Sequence, residues 1–205
     1  MEKILKHRIA LAAIIGFLLG AIWFIALRYA TYTSDAVHYH ANFAMYVNGE
    51  QELFDSFTYY EEVQSCGGDE LFNPRIRAHM HEQVNSVVHV HDAGATWGHL
   101  FANLGFTLGN SVLTTDTDVF TESDDAALTF ILNGEETSSI ANQTIRSEDV
   151  LLISFGDDDE EAVTEQYESI PKDADEYNGK YDPSSCSGGE ELTPANRLKE
   201  AIGVF

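Results

Sequence analysis

Ser86-Val87-Val88-His89-Val90-His91 is the stretch from which the rest of this chain is best read. It is rich in β-branched residues and alternates, so it predicts a strand with Val88 and Val90 on one face and His89 and His91 on the other. One face packs while the other presents imidazoles whose Cα atoms lie roughly 6.5–7 Å apart. Two more pairs of the same form, His38-Tyr39-His40 and His79-Met80-His81, bring six of the eight histidines into H-x-H spacing.

Working outward, His38 to Val47 alternates like a strand, and Asn48-Gly49 predicts a tight hairpin turn with Glu52 to Tyr60 as its return strand. Cys66 to Pro74 reads as a loop, and Arg75 to Gln83, which holds the second histidine pair, is ambiguous. Thr96 is a suitable N-cap and Gly105 a suitable stop for a short helix. In that helix Trp97, Leu100, Phe101 and Leu104 fall on one stripe, with His99 off it. Ala127 to Leu132, Asn133-Gly134 and Val150 to Phe155 give a second hairpin-like region, entered through Ser147-Glu148-Asp149. The order of elements predicts a mostly β, α+β fold, one β-grasp-like domain over 37–156, with a Greek-key sandwich as the alternative. Phe43, Tyr46, Val88, Val90, Trp97, Phe101, Ile131 and Leu152 are its core candidates.

Neutral imidazole nitrogen suits borderline cations, and two pairs on neighbouring strands complete a four-coordinate shell. His38, His40, His79, His81, His89 and His91 are therefore candidate ligands for copper or zinc. Glu82 and Asp92, which directly follow two of the pairs, are candidates for an additional ligand, a hydrogen-bond acceptor behind an imidazole, or a general base. His99 is a further candidate beside them.

The N-terminus carries Lys3, Lys6, His7 and Arg8, then Ile9 to Leu27 without a charge, then Arg28. Such a run spans a hydrocarbon core of about 30 Å. Signal peptides begin in the same way but have apolar regions of roughly 7–15 residues, so the run is read as an uncleaved anchor in the lipid bilayer. The basic cluster puts residues 1–8 in the cytoplasm, 9–27 in the membrane and everything from the 28–36 linker onward outside the cytoplasm. A formal net charge of −23 repels nucleic acid and anionic lipid headgroups, which excludes nucleic acid as a partner; no protein partner is implied. Outside the cytoplasm Cys66 and Cys186 are candidates for a disulfide, with thiolate ligation of copper as the alternative. From Asp157 the composition turns acidic and poor in aliphatics, which predicts a flexible tail over 157–205, with a short helix from Ala195 to Phe205 as an option.

Three segments together resemble a group of prokaryotic membrane-anchored extracytoplasmic proteins. They are Ala78-His79-Met80-His81-Glu82, Val87-Val88-His89-Val90-His91-Asp92 and Thr96-Trp97-Gly98-His99-Leu100-Phe101-Ala102-Asn103-Leu104-Gly105, with His38-Tyr39-His40 matching the group's early H-x-H. The resemblance covers residues 37–156 and implies architecture rather than an activity. It implies His38, His40, His79, His81 and His89 as the central set. This chain departs from the group's pattern by carrying histidine at 91 and at 99.

Two function classes follow, and the first is a non-catalytic metal binder whose shell is saturated by histidine. The second is a metalloenzyme with three histidines, a metal-bound water and Glu82 or Asp92 as base. A third reading is a surface interaction module whose imidazoles respond to pH. Phosphate-binding glycine loops, Ser-His-Asp order and paired catalytic acids are missing from the sequence.

Overall fold

The computed structural model describes residues 2–31, 37–61, 74–180 and 194–203. Cys66 and Cys186 lie outside these residues. The chain divides into two units, Met1–Asp35 with Gly189–Phe205, and Ala36–Gly188.

In the first unit, helix α1 (Glu2–Thr31) carries exposed Ile9, Leu11, Phe17, Leu19 and Trp23. It is long and apolar enough to cross a membrane, features that a signal sequence shares.

The second unit is built on a seven-stranded mixed sheet. Its first strand, β1 (Tyr39–Val47), turns at Asn48-Gly49 into the two-residue β2 (Glu50–Gln51). Asn48 and Gly49 have φ of 52° and 79°, the left-handed pair that this hairpin turn requires. The return strand expected over Glu52 to Tyr60 stops at Gln51. Phe54 takes φ 51° and turns its ring into the core, and Phe57–Tyr59 form a 3₁₀ turn capped by Ser56. After a second 3₁₀ turn over Pro74–Arg77 come β3 (Ala78–His79) and β4 (Val87–Val90).

Helix α2 (Trp97–Asn103) starts where Thr96 accepts a hydrogen bond from the His99 N–H and ends before Gly105, whose φ is 83°. A separate three-stranded antiparallel sheet follows, β5 (Thr107–Leu108), β6 (Val112–Thr114) and β7 (Val119–Thr121), to which the sequence reading gave no element. The main sheet resumes with β8 (Ala127–Leu132), the Asn133-Gly134 turn, β9 (Glu135–Thr137) and β10 (Val150–Gly156). Its order is β3-β4-β1-β10-β8-β9, with β1 and β10 parallel in the centre and every other pair antiparallel.

Period-2 alternation assigns the two faces. Ala41, Phe43 and Met45 of β1, Val88 and Val90 of β4, and Ala78 and Met80 around β3 join the α2 stripe of Trp97, Leu100, Phe101 and Leu104 in the main core. Phe43 meets Phe101 edge to face at a centroid distance of 5.9 Å. The opposite face carries the histidines at one end and a smaller cluster at the other, with Ala44, Val150 and Leu152 covered by Ile170, Val163 and Tyr167. Of the core candidates, Tyr46 and Ile131 border this smaller cluster and are only partly buried.

The residues covering that cluster come from the acidic stretch, which is folded over 157–180 where a flexible tail was expected. Asp159 caps α3 (Glu160–Glu168), and α4 (Ala174–Asn178) follows. A few apolar side chains suffice to hold these helices because the sheet offers an apolar patch that would otherwise face water. In the first unit α5 (Pro194–Ile202) supplies the optional C-terminal helix.

Candidate metal centre

The strand register brings the three H-x-H pairs onto one face. His40 lies directly opposite His89 across β1 and β4, and His79 lies opposite His89 across β3 and β4. By the same register His38 faces His91. His40, His79, His81 and His89 are buried, and His38 and His91 are half-buried.

The tightest grouping is His38, His40 and His89, whose nearest ring nitrogens all lie within 4.8 Å of one another. His40 Nε2 and His89 Nδ1 are 2.9 Å apart. Two nitrogens bound tetrahedrally at 2.0–2.1 Å stand about 3.3 Å apart, so the His40–His89 pair needs little adjustment and His38 a movement on the order of 1–2 Å. This trio, two of its rings buried and one half-buried, can hold a metal ion.

His81, His79 and His91 surround it. The His81 ring centre lies 3.5 Å from that of His89, His79 is 5.8 Å from His81, and His91 is 5.1 Å from His79 and 4.9 Å from His38. Burial, followed by the neighbouring His81, His40, His79 and His38, pushes the His89 imidazole far below its ordinary value. The neutral ring that results is the form that binds metal.

Two of the rings have fixed tautomers. The Asn178 amide oxygen accepts from the backbone N–H of His40 at 2.8 Å and lies 2.9 Å from His40 Nδ1. Because a backbone N–H can only donate, the atom facing it is the amide oxygen, and Nδ1 must carry the proton. His40 Nε2 is thereby left with its lone pair toward the cluster. His79 Nδ1 in the same way lies 3.2 Å from the Ile76 carbonyl, which can only accept. Asn178 is held by its own donation to Ser147 Oγ at 3.0 Å. Asn42, next after His38 and His40 on this face, anchors the start of α4 by donating to Asp173 Oδ1 and accepting from the Ala174 N–H.

Neither a protein-family model, nor a curated protein, nor a solved structure matches this chain. The site therefore has to be judged on its own geometry.

The other candidates lie elsewhere. Glu82 is exposed, in a two-residue turn where Glu82 and Gln83 have φ of 57° and 58° and the Val84 N–H reaches the His81 carbonyl at 3.2 Å. Left-handed backbone at two non-glycine residues costs roughly 1–2 kcal/mol each, a strain stored directly beside His81. Asp92 accepts from Arg77 Nε at 2.7 Å and from the Gly94 N–H at 2.7 Å, and these contacts hold its carboxyl below the usual range. His99 is the third residue of α2, where its ring closes a capping box with Thr96 and lies 3.1 Å from Arg77. Asp92 and His99 thus belong to a network at the start of α2.

Asn178, which supports the His40 ring, is not among the residues singled out from the sequence, because it sits in the acidic stretch expected to be a flexible tail. The helix-start signal was present in Asp159 followed by two glutamates. An Asn178→Leu variant should weaken metal affinity about 10–100-fold, as loss of a hydrogen bond behind a ligating imidazole typically does. Competition against a chelator would measure it, and an unchanged affinity would remove Asn178 from the site.

Proposed function

We propose that this chain is a membrane-anchored extracytoplasmic protein that binds a transition metal, copper or zinc, through its clustered H-x-H strands and does not turn over a substrate. The observation that carries the reading is the largely buried His38, His40 and His89 trio, with its ligand nitrogens within 4.8 Å of one another. An all-imidazole set suits zinc and copper better than calcium or magnesium, which take oxygen ligands. The non-catalytic reading is favoured over the enzyme because Glu82 is exposed to solvent and Asp92 is engaged by Arg77 and the Gly94 N–H.

The anchoring reading rests on the length and apolarity of α1, and its orientation on the basic residues that begin the chain. We assign the domain to a β-grasp-like arrangement because the first and last strands pair in parallel with a helix packed across them. Membership of the group of membrane-anchored proteins resembled by the histidine motifs is part of the same proposal.

A ligand that binds only the folded state must stabilise it. Full-length chain in detergent, stripped with a chelator, should therefore melt higher on addition of Zn²⁺ or Cu²⁺. At a free concentration 100 times Kd the gain is about 2.7 kcal/mol, or roughly 5–10 °C for a domain of this size. A melting temperature indifferent to both ions would overturn the reading and favour a pH-responsive interaction module.

A further inference from the structure

We propose that the histidine face holds two ions, one at His38, His40 and His89 and a second, weaker one at His79 and His81 with His91 as the nearest third ring. The proposal rests on the metal-binding reading above and adds a site to it.

The argument is one of distances between rings. A ligating nitrogen stands 2.0–2.1 Å from a zinc ion and the ring centre about 1.1 Å further, so each ring centre lies about 3.2 Å from the ion. Two rings on one tetrahedral ion then have centres about 5.2 Å apart, and about 4.5 Å apart if they meet at a right angle. His38–His40 at 4.8 Å, His79–His81 at 5.8 Å and His79–His91 at 5.1 Å fit a shared ion, and His40–His89 at 4.3 Å comes close to it. His38–His89 at 6.1 Å needs the His38 ring to move inward, and His38–His91 at 4.9 Å leaves His91 within reach of either ion. His81–His89 at 3.5 Å does not fit a shared ion. Two rings that close would subtend only about 65° at a common ion, well below the right angle between neighbouring ligands in an octahedral shell. His81 and His89 therefore serve different ions, and since His89 belongs with His38 and His40, His81 is left with His79.

A second observation divides the face in the same way. Each group contains one ring whose Nδ1 proton is committed outside the cluster, His40 to Asn178 and His79 to the Ile76 carbonyl, so each has an Nε2 lone pair fixed inward. The central strand β4 sets His89 between His40 of β1 and His79 of β3, so the two groups meet at this ring. Neutral imidazoles bring no charge to offset the first cation, so the second ion enters against its repulsion and binds more weakly.

The test titrates chelator-stripped full-length chain in detergent with Co²⁺, read by visible absorption, and with Zn²⁺, read by metal analysis after desalting. Two equivalents per chain are expected, in two steps. His81→Ala should remove the weaker equivalent and keep the tighter, whereas His40→Ala should remove the tighter. The half-buried His91→Ala guards against misfolding of the His81 variant, and it should weaken the second ion at least 10-fold with the first unchanged. Saturation at one equivalent with five or six nitrogen ligands by X-ray absorption would overturn the two-ion proposal, as would loss of all metal in His81→Ala. Failure of the wild type to bind Co²⁺, Zn²⁺ or, in the same metal analysis, Cu²⁺ would overturn the metal-binding reading itself.

Discussion

His89→Ala should abolish the tight component of metal-dependent stabilisation, the largest single effect expected at this site. Its ring neighbours those of His38, His40, His79 and His81, so its removal takes one nitrogen from the tight site and separates the two halves of the face. Where the wild type gains about 2.7 kcal/mol at 100 times Kd, the variant should gain close to nothing at the same Zn²⁺ concentration. A retained shift would take His89 out of the ligand set. The same residue carries a pH signature in the stripped protein. The folded state keeps the His89 imidazole neutral through burial and its neighbouring imidazoles, whereas the unfolded chain takes up a proton near pH 6.5. Below that pH the unfolded state binds more protons, so stability is full above pH 6.5 and falls as the pH drops, by up to about 1.4 kcal/mol per unit for one such histidine. Urea melts at pH 7.5, 6.0 and 5.0 would show that slope in the wild type and its reduction in His89→Ala. A wild type whose stability does not change with pH would contradict the placement of a buried neutral imidazole here.

The parts of this molecule that were legible in its sequence are those governed by strong local rules. A strand's period of two places Val88 and Val90 opposite His89 and His91 whatever its neighbours are, and the structure puts the valines in the main core. Asn48-Gly49 and Asn133-Gly134 supply the positive φ pairs that two-residue hairpins demand, so both turns could be read directly. Thr96, the apolar stripe behind it and Gly105 marked α2 from end to end. Pairing across strands was less accessible. That His40, His89 and His79 stand in one row depends on the register of β1, β4 and β3, which alternation alone does not set.

Elsewhere local pattern misled, for reasons visible at single residues. Glu52 to Tyr60 has the composition of a strand, but the left-handed backbone at Phe54 buys a buried ring at the expense of the ladder. From Thr107 to Thr121 the strands are two or three residues long, too short for a period to show. The acidic stretch looked unable to fold because its average composition hides Val163, Tyr167, Ile170 and Ala174 among carboxylates. Those residues need no core of their own, since Ala44, Val150 and Leu152 already present one. Asn178 reaches His40 only because α3 and α4 are seated in that way, so the site's supporting contact was hidden by the same averaging that hid the helices.

Gly98→Ala should destabilise the fold by about 1–3 kcal/mol, against the usual sign for this substitution in a helix. Alanine in a helix interior ordinarily gains up to about 1 kcal/mol over glycine. Here the first turn of α2 is docked on the backbone of a loop, with Trp97 N–H on the Gln143 carbonyl at 3.1 Å and Gly98 N–H on the Ala141 carbonyl at 2.8 Å. A Cβ at position 98 would stand 2.6 Å from that Ala141 oxygen and 3.3 Å from its carbonyl carbon. The obstacle is backbone, and it cannot swing aside as a side chain would. The loop is itself fixed just beyond Ala141, by the bridge between Thr96 and Thr144 and by the Ile145 N–H on the Ala95 carbonyl at 2.9 Å. Relief therefore requires α2 to lift, which loosens Trp97, Leu100 and Phe101 from the core face of β1 and β4. The histidines lie on the other face of those strands, so metal stoichiometry should be unchanged while the melting temperature falls by roughly 2–10 °C. Thermal melts of the stripped and the Zn²⁺-loaded variant separate the two effects, and a Gly98→Ala chain as stable as the wild type would mean that α2 is not held against this loop.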